Sequence, residues 1–140
     1  ILNQTKATCT DTIHRVKFLS NHPKKSITAG FLNVLTFVFA EVLGRSYGGG
    51  VLELEPNEAE KLPLPLLNIQ NLDFDYINHL VLKDDIDSVL ALTDKILLQD
   101  GLGLDLSDIK LLHGAWNRLR SRRIERRHKK TRLVKTACLE

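Results

Sequence analysis

The chain has 140 residues, enough for one domain with a sizeable core and too few for two ordinary ones. Hydrophobic residues make up 43% and charged residues 26%, a globular balance that argues against a disordered chain. No apolar run approaches the roughly 18 residues of a membrane span. The longest, 34–43, is interrupted by Thr36 and Glu41. The net charge of +3 conceals an asymmetry: residues 118–135 carry ten Lys or Arg against the single acid Glu125, so the rest of the chain is net acidic. A basic segment beside an acidic body implies a polyanionic partner or contact between the two.

The chain opens on Ile1 and contains no Met, which reads as an excerpt from a longer protein. The terminal Leu139-Glu140 reads as a cloning remnant, leaving 136–140 as a tail. No signal-peptide pattern is expected at the start. Cys9 and Cys138 form no C-x-x-C pair, so zinc is not expected, and both read as free thiols in a reducing cytoplasm.

In chain order, 12–18 reads as a strand with His14, Val16 and Phe18 on one face and Ile13, Arg15 and Lys17 on the other. Pro23 marks a turn. Ser26 or Thr28 is the expected cap of one helix running to about Leu43. Its apolar positions Phe31, Leu35, Val38, Phe39 and Val42 imply burial on more than one side. Gly44 fits the position just past its end. After the run Gly48-Gly49-Gly50, residues 51–55 alternate as a second strand, with Leu52 and Leu54 on one face. Asn57 is the expected cap of a short turn, and Leu62-Pro63-Leu64-Pro65 must be extended.

Beyond Asn71 the pattern becomes helical. A short helix is expected over 73–82. A longer one starts at Asp84 or Asp85, with Ile86, Val89, Leu90, Ile96 and Leu97 as its face, and ends at Gly101 and Gly103. The last starts near Asp105 or Ser107 and carries the stripe Ile109, Leu112, Trp116 and Leu119 before fading into Arg and Lys. The fold class is therefore α+β. A small mixed part, 1–70, has one buried helix and a few strands, and a helical part, 71–135, ends in a basic helix.

Catalytic constellations are weak. The five histidines are scattered, without H-E-x-x-H or comparable metal spacing. Glu53/Glu55 and Asp84/Asp85 read as strand-face and helix-start acids rather than acid–base pairs. Ser46 lacks a nucleophile elbow. The glycine run is no phosphate loop, because no Gly-Lys-Ser/Thr follows and a strand, not a helix, comes next. It is either a tight helix-to-strand turn or a place where another backbone or DNA comes close. The basic end is either a solvated helix terminus or a phosphate-binding surface.

The stretch from Gly44-Arg45-Ser46-Tyr47 through Gly48-Gly49-Gly50-Val51-Leu52-Glu53-Leu54-Glu55-Pro56, then Glu58-Ala59 and Leu62-Pro63-Leu64-Pro65, resembles a C-terminal signature of N6-adenine DNA methyltransferases of the Asn-Pro-Pro-Tyr type, from bacterial and archaeal restriction–modification systems. Cys9 to Val16 and Leu119-Arg120-Ser121-Arg122-Arg123 match in the same order. The resemblance implies a parent enzyme that moves a methyl group from S-adenosylmethionine to adenine after flipping the base from the duplex. This chain has no Pro-Pro catalytic motif and no cofactor loop, so the catalytic domain is expected upstream of residue 1, and no catalytic, cofactor or metal residue is assigned here.

The expected function is DNA binding and target recognition within that enzyme, with double-stranded DNA and the enzyme's own N-terminal methyltransferase domain as partners, no membrane partner and a cytoplasmic location. Arg15, Lys17, Arg45, Tyr47, Arg122 and Arg123 are the expected DNA contacts. The alternative is a structural module that docks on the methyltransferase domain or a partner subunit without binding DNA by itself.

Overall fold

The buried aliphatic side chains Ile27, Ile69, Ile77, Leu90, Leu97 and Leu98 belong to helices and turns from two distant parts of the chain. The computed structural model describes residues 2, 3, 5, 7, 8, 10, 13, 15–17, 22–47 and 50–137, with side chains described as far as 125. It comprises two units, each assembled from separated segments: 1–33 with 64–109, and 34–63 with 110–140. The compositional boundary near Asn71 falls inside the second segment of the first unit.

In the first unit, α1 (Lys24–Gly30) packs on α4 (Phe74–Leu82) and on a 3₁₀ turn, Ile69–Asn71. Helix α5 (Ile86–Thr93) continues into a π-helical stretch, Asp94–Gln99. That stretch has wider turns: the Asp100 amide bonds the Lys95 carbonyl at 2.9 Å and Leu102 bonds Leu97 at 3.1 Å, both five residues back. Thr93, Asp94, Leu97 and Leu98 are all buried there. The Thr93 hydroxyl faces the Val89 carbonyl at 2.9 Å and the Leu32 carbonyl, tying α5 to the end of α1.

The helix starts follow local chemistry. Asp73 accepts from the amides of Asp75 and Tyr76, Asp85 from Ser88, and Asp105 from Asp108 at the start of α6 (Leu106–Ala137). Asp85, not Asp84, is thus the cap of α5. Asp84 instead ends α4 in the left-handed region (φ +59°): its amide bonds Val81 at 3.0 Å and the Asp85 amide bonds Leu80 at 3.1 Å, the paired bonds of a Schellman turn.

Several expectations are corrected. The first strand does not form where it is described: Ile13 lies in a bend and 15–17 are irregular and exposed, while Thr12, His14 and Phe18 lie outside the described residues. No described strand pairs with it; the Ile13 amide instead donates locally to the Thr10 carbonyl at 3.2 Å. The single helix to Leu43 is two, α1 and α2 (Val34–Leu43). Between them the Asn33 side-chain amide donates to the Gly30 carbonyl at 2.6 Å. Neither Ser26 nor Thr28 caps: α1 begins after Pro23, Ser26 is buried, and the Thr28 hydroxyl donates back to Lys24 at 2.8 Å. Helix α2 buries Val34 and Thr36 and exposes Phe39 and Val42.

In the second unit, β1 (Arg45–Tyr47) and β2 (Val51–Glu53) pair antiparallel, Arg45 opposite Glu53 and Tyr47 opposite Val51. The second strand was expected; it stops two residues early because Glu55 takes the N-cap of α3 (Pro56–Ala59) and Pro56 its first position, displacing the expected cap Asn57. The Leu-Pro-Leu-Pro segment is non-helical as required, and its Pro63 carbonyl accepts from the buried Thr36 hydroxyl at 2.8 Å. Among the described residues, no single helix is long and apolar enough to cross a membrane.

Replacing Asp84 by Gly removes a Cβ from a left-handed position. Asp84→Gly is expected to raise stability by about 1 kcal/mol, read as a higher Tm in thermal unfolding; an unchanged or lower Tm contradicts the turn.

Candidate functional site

The site is the glycine hairpin and the side chains that hold it. Gly44 links α2 to β1. A Cβ there would sit 2.6 Å from the Ala40 carbonyl and 3.0 Å from that of Glu53. Gly44 is therefore needed for close backbone approach, not for a left-handed conformation. Gly50, at the end of the connection between the strands, does have positive φ, +77°.

Two arginines brace this hairpin. Arg45 on β1 meets Glu55 at 2.8 Å and Glu58 at 2.9 Å. Glu58 also accepts from the Glu55 amide at 2.8 Å, half of a capping box that starts α3. The Glu55 amide above all holds the Glu58 carboxyl below the ordinary carboxylate range, against desolvation and with further help from Arg45. The hydrogen bond to Glu58 and the charge of Glu55 push the Arg45 guanidinium above its ordinary value.

Arg123, on α6, forms the second brace. Its Nε donates to Glu41 Oε2 at 2.9 Å and its Nη2 to Oε1 at 2.7 Å, a fork-on-fork pair, while Nη1 donates to the Gly50 carbonyl. The Arg123 and Glu41 side chains are only 16% and 5% exposed. The bond to Glu41 raises the guanidinium's pKa despite burial, so it is a permanent cation. Glu41, Gly44, Ser46, Leu52, Leu119, Arg122 and Arg123 line an open pocket of about 210 Å³. Deeper along α6, Trp116 lies 5.3 Å from Phe37, and the Arg120 guanidinium stands 5.6 Å over the indole.

The six sequence-predicted residues fall into different settings. Arg15 and Lys17 are exposed on the irregular segment of the first unit. Arg45 and Tyr47 share β1, Arg45 engaged with acids and Tyr47 48% exposed. Arg122 is exposed and lines the pocket with Ser46. Arg123 is turned inward onto Glu41 and Gly50.

Glu41 is the functional partner that sequence reasoning missed. A signal existed: the stripe 109, 112, 116, 119 continues at the same spacing to Arg123, and Glu41 is the one acid in an apolar helix. A buried acid needs a cation partner, and Arg123 is the cation that continues the apolar stripe of its helix. Among the described residues, no group of three or more His, Cys, Asp or Glu is placed to hold a metal.

Two outcomes test these braces. Arg123→Ala leaves a carboxylate and a carbonyl short of their donor, and is expected to destabilise by about 3 kcal/mol, measured by denaturant unfolding; a loss under about 1 kcal/mol would show a solvent-screened surface pair. Because the Glu58 pKa is depressed, its contribution is present above the unfolded carboxyl value and is lost as pH falls through the lower folded value. Its carboxyl should titrate below the ordinary range by NMR, and Glu58→Gln should remove that part of the acid sensitivity.

The family model described as Type II methyltransferase M.Eco57I, C-terminal domain, matches residues 1–98. No curated protein and no solved structure matches the chain. The matched part includes Glu41 and the whole hairpin and stops before α6.

Proposed function

We propose, from the premise that the chain belongs to the family of Type II methyltransferase C-terminal domains, that it binds duplex DNA and contributes target recognition to an enzyme methylating adenine at N6. The observation that carries the proposal is the basic segment: ten Lys or Arg between 118 and 135, on a helix that runs to Ala137. Such a density of cations neutralises phosphates and releases counterions, so affinity is strong at low salt and largely independent of sequence. Phosphate contacts then set register, and side chains from loops or strands read base edges. Arg122, Arg15 and Lys17 are the proposed phosphate contacts. Tyr47, half-exposed on β1, and Arg45 beside it are the proposed reading side chains.

In this reading the methyl donor is S-adenosylmethionine, bound by a methyltransferase domain outside this chain, in the cytoplasm of a bacterium or archaeon. The hairpin does not fit that cofactor: its acids Glu55 and Glu58 face Arg45, and a strand follows the glycines. This chain's contribution is to grip and orient DNA.

A second reading draws on Phe39 and Val42, exposed one turn apart on α2. They offer an apolar face for docking on the methyltransferase domain without autonomous DNA binding. A gel shift of the 140-residue chain on duplex DNA separates the two. DNA binding predicts a complex at about 50 mM salt whose affinity falls by roughly a thousandfold or more by about 200 mM. No complex at low salt, with the helical circular dichroism spectrum intact, favours docking and rejects autonomous binding.

A further inference from the structure

We infer that Arg123 is the positioning residue of the glycine hairpin, not one of its phosphate contacts; the inference rests on the DNA-binding reading and divides its labour. The guanidinium is already engaged on both sides. Two of its nitrogens hold the two Glu41 oxygens at 2.7 and 2.9 Å, and the third donates to the Gly50 carbonyl. A phosphate would have to displace a carboxylate that is 5% exposed, leaving that charge buried and alone. Arg122, the next residue, is exposed and faces the pocket beside Ser46. Both arginines line the same pocket, but Arg123 is committed to Glu41 and Gly50 while Arg122 is exposed, so one anchors and the other is free to meet an anion.

What Arg123 anchors is the end of the turn. Gly50 precedes Val51, and Val51 pairs with Tyr47. These two side chains are 57% and 48% exposed and project from the strand ends. Strands of three residues have little stability of their own. A rigid fork from α6, 73 residues away in sequence, holds the Gly50 carbonyl, and the same fork is fixed to α2 through Glu41. The hairpin's aim is thereby set by two helices rather than by its own ladder. Readout of a base edge needs such preorganisation, because a loosely held side chain loses geometric discrimination before it loses affinity.

The test replaces the pair by apolar residues of similar volume, Glu41→Leu with Arg123→Met, which preserves packing and removes the tie to Gly50. Arg122→Ala is the comparator. Three readouts are taken on the whole chain: amide hydrogen exchange, the salt dependence of binding to a pool of short duplexes with randomised centres, and the sequences recovered from the bound fraction. Positioning predicts that the double variant folds cooperatively and keeps the wild-type salt slope. Its β1 and β2 amides exchange about tenfold faster or more, and the wild type's sequence selection is lost. Arg122→Ala instead makes the slope shallower by about 0.9 and keeps selection. Should the double variant fail to fold, Arg123→Lys, which keeps the charge and loses the fork, carries the same readouts.

A slope shallower by about 0.9 in the double variant, with exchange and selection unchanged, makes Arg123 a phosphate contact and overturns the inference. Wild-type selection in the double variant reduces the pair to a structural one and overturns it equally. If the wild type binds no duplex at low salt, the DNA reading fails, and exchange alone judges the anchor: faster hairpin exchange sustains it, and unchanged exchange removes it.

Discussion

The second unit depends on one buried ion pair. Bringing Arg123 and Glu41 out of water costs several kcal/mol per ion, which their attraction offsets only with good geometry and satisfied remaining donors. Both conditions are met: the fork is bidentate, and the third nitrogen reaches the Gly50 carbonyl. This matters because the unit's fully buried apolar content is small. Val34 is the apolar side chain among its described residues that is fully enclosed; the Phe37–Trp116 contact and Leu119 are half-buried. The first unit is different in kind. Its core is mainly aliphatic, with buried polar side chains such as Asn33 and Thr93 bonded to backbone carbonyls within it. One unit rests on area, the other on geometry.

Under the proposed DNA-binding reading, this contrast bears on where recognition would sit. A surface that reads DNA must be polar and exposed, which starves it of hydrophobic stabilisation. Specific polar braces are then the available means of holding it still. The hairpin carries two, Arg45 to α3 and Arg123 to α2. The residues that distinguish the glycine-to-proline stretch mostly serve this architecture. Gly44 permits backbone contact, Gly50 turns the chain, Pro56 starts α3, and the carbonyl of Pro63 receives Thr36. The family match ends at residue 98, so the tie from Arg123 to Glu41 and Gly50 joins the matched part to the helix beyond it.

Much of the fold was legible where cause and effect are neighbours in sequence. Asp73, Asp85 and Asp105 cap helices because each carboxylate reaches amides two or three residues on. The alternation around Leu52 and the exclusion of helix over 62–65 are equally local. The break between α1 and α2 was less legible. It uses Asn33, whose side chain competes for a helix carbonyl, inside a run whose apolar spacing continues across it. Strand β1 was missed because three exposed residues show no pattern of their own; only pairing with β2 makes them a strand.

By itself the sequence determined the α+β class, the starts of α4, α5 and α6, the second strand, the basic helix and the family. These follow from spacing, caps, charge density and motif, all short-range properties of the chain. Tertiary structure decided which arginines are committed and which are free. Arg122 and Arg123 are indistinguishable as letters, and a one-residue step on a helix turns them about 100° apart. Arg123 meets a carboxylate 82 residues away, while its neighbour stays exposed at the rim of the pocket. That difference arises from burial and long-range geometry, which no local pattern encodes.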